Sequence, residues 1–364
     1  MKAVRERMKK SLSIKTTKVG PPGRKSIRPI SEADFARMYK LRGEVMESTN
    51  AGMHVLFATR LVDGEEVVIK VREKSRSFKS GTEEREWRST TECQLNMPKV
   101  DTICAFLEVM ETREAYYVVM EKVDGKDLFE QMCSEQISQV DAREIVRQIL
   151  DALNTMHKIG RIHKDLKLEN VMVDLETPSK MASSMAAVPE ASESPATVKL
   201  IDFDTVQAWE PSSPKAKDVL GTDGYIAPEA YAGEYSPASD VYCVGVIMYK
   251  LLTRKFPSRP DIFDDQPGEN WVGSPAMRRI RERLRTEKID FDRPPLHKLP
   301  EAAHLCSQML RFMPNERPSA EEALTHPWFQ IPIDMMSSPA TPRAAVPAKA
   351  VTTPDAEATP KAGR

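Results

Sequence analysis

Residues 162–170 read Ile-His-Lys-Asp-Leu-Lys-Leu-Glu-Asn, and no other stretch restricts this chain as strongly. A carboxylate, Asp165, stands two residues before a cation, Lys167, and five before an amide, Asn170. Apolar elements flank this run. Residues 138–157 place Val140, Ile145, Ile149, Leu150, Leu153 and Met156 on one stripe, the spacing of an amphipathic helix. Downstream, Lys199-Leu-Ile-Asp-Phe-Asp204 reads as an apolar strand ending in a second carboxylate, Asp202. Helix and strand are the scaffold, and the polar loop is what they deliver. Phosphoryl transfer from a nucleotide asks for such a set: a carboxylate to orient the attacking hydroxyl, a cation for the γ-phosphate and oxygen ligands for Mg²⁺.

Composition excludes several other classes. Cys93, Cys104, Cys133, Cys243 and Cys306 are an odd number without a Cys-x-x-Cys pair, so free thiols in a reducing, intracellular compartment are the simpler reading. No apolar run approaches the roughly 18 residues of a membrane span, and no secretory segment opens the chain. These features point to the cytoplasm, with nuclear or organelle targeting by the N-terminus left open. The net charge of −1 hides an asymmetry, because residues 1–29 hold ten Lys or Arg against the single acid Glu6. The plain reading of residues 1–34 is a solvated, disordered arm. The sharper readings are contact with an anionic membrane or nucleic acid, or a transit peptide. Sequence-specific nucleic-acid recognition is not expected.

Residues 31–42 read as a short helix capped by Ser31. Residues 55–60 and 66–71 read as strands around a turn at Asp63-Gly64, and 103–110 and 116–120 as two more. A helix is expected over 83–97 and a buried one over 236–252. Residues 175–197 are a low-complexity Ala/Ser/Pro/Glu tract, too long for a tight hairpin, and read as a disordered insertion. Residues 331–364 read as a disordered Ala/Pro/Thr-rich tail.

Three further pieces fall in order: Val67-Val-Ile-Lys70 upstream of the polar loop, then Asp202-Phe-Asp204 and Ala227-Pro-Glu229 downstream. With these the chain resembles eukaryotic-type serine/threonine protein kinases of the calcium/calmodulin-kinase-like group over residues 35–330. The resemblance implies an α+β fold of two lobes. A small antiparallel β-rich lobe would span about 35–120 and a larger, mainly helical lobe about 124–330, with ATP and Mg²⁺ in the cleft. Asp165 would orient a substrate Ser or Thr hydroxyl and take its proton, Lys167 would steady the γ-phosphate, and Asn170 and Asp202 would hold Mg²⁺. Lys70 would hold the α- and β-phosphates, braced by a glutamate of the 83–97 helix. Glu92 is best placed for that brace, with Glu86 the competitor. Val55 and Val68 would roof the adenine, Met172 floor it and Met120 guard the back of the pocket, with Met120-Glu121-Lys122-Val123 as the hinge. Asp127 stands where related kinases put an acid for the ribose or for a basic substrate residue; an acid in a helix's first turn also suits the dipole unaided. Residues 221–229, Thr222 among them, resemble the platform for peptide substrates. Glu229 would pair with Arg317, and Asp240 would hold the backbone of the polar loop.

Departures from the family pattern are equally specific. Its phosphate-loop glycines are replaced by Ser48, Asn50 and Met53, with Gly52 out of register, and side chains there add bulk and restrict φ. Asp-Phe-Gly becomes Asp202-Phe203-Asp204, which adds a negative charge near the phosphates. Lys164 replaces the arginine before Asp165, and Asp218 stands where many kinases are phosphorylated. An Asp218–Lys164 ion pair, with Lys215 or Lys217 nearby, is therefore expected to order the activation segment without a phosphate. The expected function is ATP-dependent transfer of the γ-phosphate to Ser or Thr hydroxyls of protein substrates. The alternative is a pseudokinase scaffold with weak or no transfer. The missing glycines and Asp204 favour the alternative; the intact Lys70, Asp165, Lys167, Asn170 and Asp202 oppose it.

Overall fold

Alternation in one strand decides how the first lobe is used. Val67, Ile69 and Val71 are buried and pack with Phe35, Tyr39, Ala58, Met110 and Val119. Val68 and Lys70, displaced by one residue, point to the opposite face of the sheet, as a period of two requires. The computed structural model describes residues 24–46, 51–175 and 196–332. Residues 1–23 of the basic arm, 176–195 of the insertion and the tail from 333 lie outside the described residues, as do Ser48 and Asn50.

The first lobe comprises β1 (Arg28–Pro29), α1 (Glu32–Met38), β2 (Tyr39–Met46), β3 (Met53–Arg60), β4 (Glu66–Glu73), α2 (Lys74–Ser77), α3 (Gly81–Leu95), β5 (Phe106–Glu111) and β6 (Ala115–Glu121). Its strands form one sheet in the order β1-β5-β6-β4-β3-β2. All neighbours are antiparallel except β1 and β5. Two expectations are corrected here. The helix expected over 31–42 ends at Met38, because Tyr39, 2% exposed, turns extended and starts a strand paired with β3. The domain boundary expected at residue 35 falls inside α1. Ordered structure starts earlier because Ile27, 5% exposed, enters the core and Arg28–Pro29 pairs with Met110 and Glu111.

After β6 the chain crosses through β7 (Lys126–Asp127) and α4 (Leu128–Ser134) to α5 (Gln139–Lys158), whose N-cap Ser138 accepts from the Asp141 N–H. Ile145, Ile149, Leu150, Leu153 and Met156 of the α5 stripe are fully buried, with Val140 partly so, and the helix packs against α6 (Pro237–Thr253), the most apolar helix of the second lobe. Between these helices in sequence come β8 (Arg161–Ile162), β9 (Val171–Asp174), β10 (Thr197–Leu200) and β11 (Gln207–Ala208). Pairing of β9 with β10 brings Asp174 opposite Thr197, so the low-complexity insertion joins the two ends of a hairpin. Helices α7 (Pro275–Thr286), α8 (Pro300–Met309) and α9 (Ala320–Leu324) close the lobe, with Trp328 buried beyond them. Among the described residues no helix is long and apolar enough to cross a membrane.

Candidate active site

The polar loop is held from below by Asp240 of α6, which is 1% exposed. Its carboxylate accepts from the backbone N–H groups of His163 (2.8 Å) and Lys164 (2.9 Å) and from His157 Nε2 (3.0 Å). Lys164 has φ +71°, a left-handed conformation that a lysine keeps only where its surroundings impose it. Burial works to raise the Asp240 carboxyl, but the hydrogen bond and charge of His157 hold it below the usual carboxylate range.

Above this anchor three side chains converge. Thr222 Oγ1 donates to Asp165 Oδ1 at 3.0 Å and accepts from Lys167 Nζ at 3.0 Å, while Lys167 Nζ lies 3.4 Å from Asp165 Oδ2. Asn170 Nδ2 donates to the Asp165 carbonyl at 2.8 Å, and its side-chain oxygen accepts no bond among the described residues. Gly221 lets the platform approach: it has φ +126°, and a Cβ there would lie 2.9 Å from Ile226 Cγ1 and 3.2 Å from the Lys164 carbonyl.

From the opposite lobe comes Lys70, its side chain 13% exposed, with Nζ 2.6 Å from Asp202 Oδ1 and 2.9 Å from Asp204 Oδ2. Burial works to lower the lysine, but Asp204 and Asp202 outweigh it and raise it. Asp202 sits at φ +59° and, against its burial, is held below the usual carboxylate range by Lys70. The Ile201 N–H donates to the Asn170 carbonyl at 3.0 Å and so ties the Asp202 segment to the loop. One ionised carboxylate and one open amide oxygen on adjoining segments are the hard donors that Mg²⁺ selects, so these residues fit the ion.

The sequence profile of the protein kinase domain matches residues 52–329, more than half of the chain. The chain belongs to the protein kinase domain family. It is 31% identical to calcium-dependent protein kinase 4 of Plasmodium berghei (strain Anka) over 231 residues, which cover 63% of this chain and 38% of that protein. It is 27% identical to the hormonally up-regulated neu tumor-associated kinase of Mus musculus over 309 residues, 83% of this chain and 36% of the relative. Calcium-dependent protein kinase 24 of Arabidopsis thaliana is 29% identical over 245 residues, 67% of this chain and 37% of the relative. The matches thus span well under half the length of these relatives.

The remaining positions expected from the sequence are placed by strand register and by their hydrogen bonds. Val55 lies opposite Lys70 in the β3–β4 register, and Val68 lies opposite Met120. Met172 lies opposite Asp127 in the β9–β7 pair. The Glu121 side chain is engaged elsewhere, accepting from the Ala105 N–H (2.7 Å) and Lys199 Nζ (2.6 Å), while Val123 is half-buried against the core. Asp127 caps α4, with its carboxylate accepting from the Glu130 N–H at 2.8 Å. Glu229 and Arg317 form a buried two-pronged pair at 2.7 and 2.8 Å, and Ser239 donates to the same carboxylate.

Two expectations fail. Glu92 does not reach Lys70: α3 turns Thr91, Gln94 and Leu95 inward, and Glu92 Oε1 instead accepts from the Ile27 N–H at 3.3 Å. The competitor Glu86 is exposed. Asp218 does not pair with Lys164, whose Nζ donates to Gln207 Oε1 at 3.0 Å and lies 4.4 Å from the Tyr235 ring centroid. Asp218 is exposed, and its backbone bridges to Trp271; Lys215 pairs with Glu234. Gly52, the one loop glycine described, has φ +72° and lies so close to α2 that a Cβ would sit 2.7 Å from Arg76 Cβ. Sequence reasoning missed Gln94, whose amide donates to the Phe203 carbonyl, because no motif marks it.

Proposed function

We propose that this kinase domain transfers the γ-phosphate of ATP to Ser or Thr hydroxyls of protein substrates. The observation that carries the reading is the Thr222 hydroxyl bridging Asp165 and Lys167, because it joins the peptide platform to the acid–base pair at one point. Asp165 orients the incoming hydroxyl and accepts its proton, and Thr222 fixes the carboxylate for that task. Lys167 sits beside Asp165, where it can meet the transferring phosphoryl oxygens. Lys70 enters from the other lobe to hold the remaining phosphates, and Val55, Val68, Met120 and Met172 supply apolar walls for the base. Asn170 and Asp202 would hold Mg²⁺, which supplies charge neutralisation on the phosphates when bound.

The pseudokinase reading draws on Asp204 and on the replaced loop glycines. A scaffold, however, has no chemical use for the complete set of Lys70, Asp165, Lys167, Asn170 and Asp202. We read the basic residues of positions 1–29 as a contact for anionic surfaces and the reducing interior of the cell as the site of action. The deciding experiment follows radiolabelled γ-phosphate from ATP-Mg²⁺ to a generic basic protein. Asp165→Asn is expected to lower turnover by about 10²–10⁴-fold. Equal labelling by wild type and variant would refute the assignment, and no labelling by wild type would support the scaffold.

A further inference from the structure

In this cleft Lys70 is gripped by two carboxylates, Asp202 and Asp204, with Phe203 between them in the chain, and the neighbouring helix contributes none. Among the described residues its ion-pair partners are Asp202 and Asp204 alone. The α3 face that turns inward carries Thr91, Gln94 and Leu95, and Glu92 is drawn away to the Ile27 N–H. Asp204 is itself fixed on both sides. The Phe203 carbonyl accepts from the Gln94 amide and from the Val206 N–H, and the Thr205 hydroxyl donates to the His163 carbonyl at 2.8 Å. The turn that carries Asp204 is therefore anchored to both α3 and the polar loop.

We infer that Asp204 is a positioning residue for Lys70, bracing from the turn after Asp202 the ammonium that a helix glutamate was expected to brace. An ammonium has three N–H donors. Two go to Asp202 and Asp204, which leaves one aimed by the others for a phosphate oxygen. A free lysine side chain loses rotamer freedom when it is fixed on a ligand, and a two-point grip settles that ordering before a ligand arrives. The extra charge at 204, which by itself repels phosphate, is thus screened by the cation it holds. Helix α3 touches the turn through an uncharged amide on a carbonyl.

The inference rests on reading the cleft as a nucleotide site, and two measurements keep the questions apart. Wild type, Asp204→Asn, Lys70→Met and the double variant are compared first by thermal unfolding without nucleotide, then by equilibrium binding of a fluorescent ATP analogue with Mg²⁺. Asp204→Asn should weaken analogue binding about tenfold when Lys70 is present and by no more than about twofold when it is Met. Unfolding should show the same non-additivity. Glu92→Gln should add to Lys70→Met without coupling. Additive effects of Asp204→Asn and Lys70→Met in the unfolding cycle would overturn the brace. So would tighter analogue binding by Asp204→Asn or Asp204→Gly, the result expected of a charge that merely repels. Failure of wild type to bind the analogue would overturn the nucleotide-site reading, and the unfolding cycle would still decide the brace.

Discussion

In the proposed reaction, a single hydroxyl of Thr222 links the two charged groups of the polar loop. It donates to Asp165 and accepts from Lys167, so removing it frees the carboxylate to rotate and leaves the ammonium with one partner fewer. Thr222→Ala should lower kcat about tenfold, the order expected for one hydrogen bond to a charged group at a partly exposed site, while Thr222→Ser should keep most of it. Steady-state kinetics on one peptide substrate separates the two variants. The spacing of Asp165, Lys167 and Asn170 was legible because one short loop sets it, and local geometry leaves little choice. The partners of Lys70 and Lys164 were not legible in the same way. A lysine side chain reaches far enough to choose among several acceptors, and that choice is made by loops more than 40 residues away in sequence.

At the scale of elements, the segment ahead of the sheet matters more than its composition implied. Ile27 is 5% exposed, its N–H meets Glu92, and Lys25 exchanges backbone hydrogen bonds with the Asn96 side chain at 2.8 Å each. These contacts fix the rotation of α3, and with it which residues of the helix face the cleft. Ile27→Ala should cost about 2–5 kcal/mol, measured by urea unfolding. Strands β3, β4 and β6 were readable from their alternation and from the Asp63-Gly64 turn. Strand β2 was not, because Leu41 and Val45 are 41% and 39% exposed and no apolar face marks it. Only its pairing with β3 makes it a strand, and pairing is not written in a local pattern. The inward face of α3 was hidden for the same reason: a helix with weak amphipathicity takes its rotation from its neighbours.

For the whole molecule, acid is the natural probe of its paired carboxylates. Desolvation works to raise Asp202, Glu111 and Asp240, yet Lys70 for the first, Arg88 and Lys74 for the second and His157 for the third hold all three below the ordinary carboxylate range. Groups depressed in the folded state bind more protons when unfolded, so stability is full above the unfolded carboxylate value of about 4 and falls as pH drops below it. Asp240→Asn should cost at least about 2 kcal/mol near neutral pH, and the gap to wild type should narrow below about pH 4, followed by thermal unfolding across pH. The order of the sheet carries a further, practical consequence. A recombinant fragment begun at residue 52, where the family match starts, would lack β1 and β2 together. These are the two outermost strands, so β3 and β5 would be left with bare backbone on opposite sides. Unpaired strand edges recruit other chains, and such a fragment should sediment as aggregate to a greater extent than the longer chain.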